Sequence, residues 1–88
     1  MMKYSSIFPW KEFLERYLKN HEEFMFLYHG REYHFSFHDD SNNKLVAELN
    51  IGTPATGYEN QEYESAELLL ENARIEGLSI KEIWDEFQ

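Results

Sequence analysis

The stretch Phe24-Met25-Phe26-Leu27-Tyr28-His29-Gly30-Arg31-Glu32-Tyr33-His34-Phe35-Ser36-Phe37 constrains the fold more than any other. Residues 31–37 alternate: Arg31, Tyr33, Phe35 and Phe37 fall on one parity, Glu32, His34 and Ser36 on the other. Strand side chains point to opposite faces in turn, so one face is aromatic and the other polar. In the preceding run Phe24, Phe26 and Tyr28 oppose Met25, Leu27 and His29. A two-residue turn needs positive φ, which Gly30 supplies without strain and His29 tolerates better than most residues. A turn at His29-Gly30 sets Tyr28 opposite Arg31, Phe26 opposite Tyr33 and Phe24 opposite Phe35. Both aromatic sets then share a face, whereas a one-residue slip would separate them. Aromatic cross-strand pairs contribute roughly 0.2–1 kcal/mol each. A hairpin alone is marginal, so further strands and a helical cover over the aromatic face are required.

The flanks supply both. Ser6 is read as an N-cap with Pro9 in the first helical turn. Trp10, Phe13, Leu14, Tyr17 and Leu18 then form one apolar stripe, ending near Asn20. Lys11–Glu15, Glu12–Arg16 and Glu15–Lys19 have the spacing of helical ion pairs. After Phe37, the polar segment 38–43 reads as a turn. A third strand follows over 44–51, with Leu45, Ala47, Leu49 and Ile51 on one face and Val46, Glu48 and Asn50 on the other. Gly52 to Gly57 is a loop, and 58–64 a polar fourth strand ending in an inward Tyr63. Ser65 caps a second helix with apolar positions Ala66, Leu69, Leu70 and Ala73, closed by Gly77 as a left-handed cap. Ser79-Ile80-Lys81-Glu82 is a capping box that opens a third helix, its stripe Ile80, Ile83, Trp84 and Phe87. The expected fold is one α+β domain spanning residues 1–88. It has an N-terminal helix, a three- to four-stranded antiparallel meander, and two C-terminal helices packed on one face of the sheet.

Charge narrows the function classes. The net charge is −9, and residues 59–88 hold nine acidic and two basic side chains. Phosphate contacts need lysine and arginine, so direct nucleic-acid binding is disfavoured, and an anionic membrane likewise. A basic protein surface is the natural counterpart. Acidic surplus also serves solubility alone. There is no cysteine, which removes disulfide and thiolate chemistry and fits a reducing cytoplasm. No run of about 18 apolar residues occurs and no signal-peptide pattern is present, so a cytoplasmic protein is expected.

Two segments, Tyr28-x-Gly30-x-x-Tyr33 and Glu67-Leu68-Leu69…Gly77-Leu78-Ser79-Ile80-x-Glu82-Ile83-Trp84, carry a resemblance to short, acidic, uncharacterised bacterial proteins associated with mobile elements. These motifs are a hairpin turn and helix caps. The resemblance implies a fold and brings no activity, cofactor or site residue with it.

His34 and His38 have the H-x-x-x-H spacing that makes a metal pair on a helix. On a strand, positions four apart lie about 13 Å from one another, too far for a shared ion. Asp39-Asp40-Ser41-Asn42-Asn43 has oxygen ligands but lacks the glycine and glutamate of a calcium loop, and reads as an Asx turn. Gly52 to Gly57 has no lysine for a phosphate loop, and no serine has an evident base. No catalytic, cofactor-binding or metal-ligating residue is assigned. Two surface features remain as partner sites. Glu59, Glu62, Glu64, Glu67 and Glu71 cluster about the second helix's start, as an acidic patch for a basic partner. Met25, Leu27 and Val46 oppose their strands' core residues, as an apolar outer patch. The leading reading is a non-enzymatic protein-interaction module, an acidic inhibitor or antidote. The alternatives are a structural homodimer and, last, a small hydrolase.

Overall fold

The computed structural model describes residues 8–87. Four strands, β1 (Phe24–Tyr28), β2 (Arg31–Asp39), β3 (Leu45–Thr53) and β4 (Gly57–Tyr63), form one antiparallel sheet in sequential order. The β1–β2 register pairs Tyr28 with Arg31, Phe26 with Tyr33 and Phe24 with Phe35, as the turn chemistry predicts. His29 and Gly30 take φ of 50° and 77°. Ala47, Leu49 and Ile51 of β3 complete the buried face.

Among the described residues, helical segments roof that face alone. Helix α1 (Trp10–Leu14) begins directly after Pro9, whose carbonyl accepts from the Glu12 and Phe13 amides at 3.0 and 3.1 Å. The expected cap Ser6 lies outside the described residues. Glu15–Lys19 then widens into a π-helical turn. A wider turn displaces the i,i+4 neighbours, and among the described residues Glu12–Arg16 (3.4 Å) is the one expected ion pair that forms. Arg16 also binds Glu22 at 2.9 Å and lies over the Phe8 and Phe24 rings. Phe13 and Tyr17 are fully buried and stack at 5.2 Å, against Phe35 and its neighbours.

The two expected C-terminal helices are replaced by one helix and a 3-10 turn. Helix α2 (Ala66–Asn72) starts at Ser65, whose Oγ accepts from the Leu68 amide at 3.1 Å. It stops at Ala73, which is extended, and Arg74 Nη1 donates to the Glu71 and Ala73 carbonyls. Strands β5 (Arg74–Ile75) and β6 (Leu78–Ser79) follow, joined by Glu76-Gly77 at φ 53° and 83°. Gly77 therefore serves a hairpin turn, not a helix cap. Its positive φ suits both roles, and pairing of the flanking residues decides between them. The capping box forms as read, with Ser79 N donating to Glu82 Oε1 at 2.7 Å and Glu82 N to Ser79 Oγ at 3.2 Å. It leads only into a 3-10 turn at Trp84–Glu86. So short a helix has little stability of its own. Burial of Ile80, Ile83, Trp84 and Phe87 fixes this segment instead. Trp84 Nε1 donates to the Phe8 carbonyl at 3.0 Å, joining the two ends of the described chain. Among the described residues, no helix is long and apolar enough to cross a membrane.

Candidate functional site

With the roof on one side, the other side of the sheet carries the even-numbered residues of β2, β3 and β4 and the odd-numbered ones of β1. Register sorts them into rows. Leu27, Glu32, Gly52 and Tyr58 form one row, Met25, His34, Asn50 and Asn60 the next, and Ser36, Glu48 and Glu62 a third. Val46 and His38 pair in a fourth. This face is a hydrogen-bonded polar layer. Glu32 Oε1 accepts from His34 Nε2 at 3.0 Å and from the Tyr58 hydroxyl at 2.8 Å. The His34 and Tyr58 rings meet edge to face at 5.3 Å. His34, Ser36, Asn50 and Tyr58 line an open depression of about 340 Å3. Hydrogen bonds from His34 first and Tyr58 second hold the Glu32 carboxyl below the ordinary range.

A second constellation lies one row along. His38 Nδ1 donates to Glu48 Oε1 at 2.7 Å, and its Nε2 is 3.8 Å from Glu62 Oε2. Asn60 Nδ2 donates to Glu48 Oε2 and, at 2.9 Å, to Asn50 Oδ1. Burial pushes the Glu48 carboxyl up, but hydrogen bonds from Asn60 and His38 together outweigh it and leave the group below its ordinary value. The spacing of His34 and His38 along one strand hid this cluster. His38 meets Glu48 diagonally across strands, and Glu62 lies opposite Glu48. The signal available was the β2–β3 register, which places His38 opposite Val46.

The five acidic residues read as one patch divide around β4. Glu62 projects on the outer face, while Glu59 pairs with Ile51 and so lies on the roofed side, exposed beyond the roof. Glu64 follows the strand, and Glu67 and Glu71 stand one turn apart on α2, beside β3 and β4. Among the described residues, none of the five lies within ion-pair distance of a lysine or arginine. The apolar trio is not one patch. Met25 and Leu27 share β1, but Val46 lies three rows from Leu27 and two strands over, so about 10 Å of sheet separates the strands alone. The 39–43 segment is an Asx turn, with Asp40 Oδ1 accepting from the Asn42 and Lys44 amides at 2.8 and 3.0 Å.

In comparisons with known proteins, no family model matches the chain, and no curated protein or solved structure matches it significantly.

Proposed function

We propose that this chain is a non-enzymatic protein-interaction module that binds a basic protein surface along β4 and the adjoining face of α2. One observation carries the reading: Glu59, Glu62, Glu64, Glu67 and Glu71 surround an edge strand with no lysine or arginine paired to them among the described residues. Negative charge left uncompensated at one edge attracts cationic surfaces and steers their approach. An edge strand also offers unpaired backbone groups to an incoming segment. An inhibitor or antidote acting on a nucleic-acid-binding protein fits this chemistry, because such proteins present clustered lysine and arginine. The resemblance of the hairpin and tail motifs to proteins associated with mobile elements supports the antidote form of this reading.

The test is affinity capture from cell extract, with the wild-type chain and a variant carrying Glu59→Gln, Glu62→Gln, Glu64→Gln, Glu67→Gln and Glu71→Gln. The captured partner is expected to be basic and to dissociate as the Debye length shrinks from about 10 Å at 0.1 M salt to about 3 Å at 1 M. Capture that is indifferent to salt, or equal for a folded five-Gln variant, rejects the reading.

A further inference from the structure

We propose that His38, Glu48 and Glu62 form a binding site for a divalent first-row transition cation, with zinc as the reference ion. One imidazole nitrogen and two carboxylate oxygens, one from each residue, all lie within 4.8 Å of one another. Zinc bound at about 2.0–2.2 Å holds its ligand atoms somewhat closer than this, a contraction that side-chain rotation supplies. The donors come from three adjacent strands of one sheet, β2, β3 and β4, so the backbone beneath them is fixed by ladder hydrogen bonds.

Three further observations point to a cation here. Glu48 is oriented before any ion arrives: its side chain is only 16% exposed, and Asn60, itself held by Asn50, donates to its second oxygen. Outer-shell donors of this kind aim a metal-ligating carboxylate. Charge is unbalanced, since no outward position of β1–β4 is lysine or arginine. Two carboxylates therefore face one imidazole, which carries at most a single positive charge. The donor set also selects the ion class, because imidazole suits zinc, copper, iron and nickel, while carboxylates alone would suit magnesium or calcium. His38 Nδ1 lies 2.7 Å from Glu48 Oε1. The cation competes with protons for these donors, so binding releases protons and weakens in acid. Three protein ligands on an open face leave the remaining coordination to water or to a ligand from solution.

This proposal is independent of partner binding, with which it shares only Glu62. The experiment is a zinc titration of the untagged, isolated chain, read by calorimetry and by histidine ring resonances. Saturable one-to-one binding that perturbs the His38 ring is expected. His38→Gln and Glu48→Gln should each weaken it at least tenfold, and Asn60→Ala about tenfold through the outer shell. His34→Gln should leave it unchanged. Circular dichroism confirms that each variant is folded, and Glu62→Gln, at the more exposed ligand, serves where Glu48→Gln does not fold. Absence of saturable binding, or equal affinity in His38→Gln and the wild type, overturns the site.

Discussion

His29 Nδ1 lies 2.9 Å from Glu76 Oε2, and each residue opens a two-residue turn whose second member is glycine. The tips of two hairpins, 47 residues apart, are thus linked by the side chains of equivalent turn positions. Both side chains are about half exposed, at 54% and 50%. With the imidazole protonated, an exposed pair of this kind contributes about 0.2–1 kcal/mol and is screened by salt. A double-mutant cycle of His29→Asn and Glu76→Asn should give a coupling in that range at low salt, falling toward zero at 1 M. Asparagine keeps the positive φ available, so the cycle reads the link and not the turns.

Gly52 and Gly30 are expected to respond differently to alanine. A Cβ on Gly52 would sit 2.0 Å from the Gly57 carbonyl oxygen, a backbone atom, while one on Gly30 meets nothing within 4 Å. Gly30→Ala should cost about 1–2 kcal/mol from its positive φ alone. Gly52→Ala must push β3 and β4 apart and should cost about 3 kcal/mol or more. Urea unfolding of the two variants compares them directly.

Tyr17 is fully buried, and its hydroxyl has no hydrogen-bond partner among the described residues. Burial holds its phenol well above the ordinary value, with the Glu67 charge adding to the effect. Removing an unsatisfied polar group recovers its desolvation cost, so Tyr17→Phe should stabilise the fold by about 1–3 kcal/mol. The rings of Phe13 and Phe35 that pack on it are unaffected by the change. The urea midpoint should rise without a change in slope.

Glu82 supplies an acid-sensitive contribution. The Ser79 backbone amide first, and its hydroxyl second, lower the Glu82 carboxyl from its ordinary 4.5. A group depressed by folding stabilises above its unfolded pKa and loses that contribution as pH falls through the folded one. The stability gap between wild type and Glu82→Ala should therefore be constant near neutrality and narrow below pH 4.5. A gap independent of pH would show that the carboxylate charge plays no part.

Most of the meander was legible because two independent signals agreed, although Gly52, Thr53 and Gly57, expected in a loop, belong to β3 and β4. At Phe24–Phe37 the alternation and the His29-Gly30 turn chose the same register, and 58–64 was bounded by Gly57 and Ser65. The C-terminal third was less legible because its signals serve two structures. Glu76-Gly77 closes a helix or a hairpin, and the stripe Ile80, Ile83, Trp84, Phe87 suits a helix or a tight turn pressed on the core. The π-helical turn at Glu15–Lys19 left no mark in the periodicity, since Phe13 and Tyr17 are buried either way. Of the outer face, its polarity could be read and its constellations could not. His38 approaches Glu48 and Glu62 only through interstrand register, which no spacing within one strand contains.

The placement of every core ring on one side of the sheet has a consequence for how the molecule can change. Substitutions beneath the roof are judged first by whether the chain still folds. Those on the outward rows, from Glu32 and Tyr58 to His38 and Glu62, carry little of that burden. Side chains on that face can therefore be exchanged while the architecture stays constant, a freedom that a sheet sandwiched between two layers would lack.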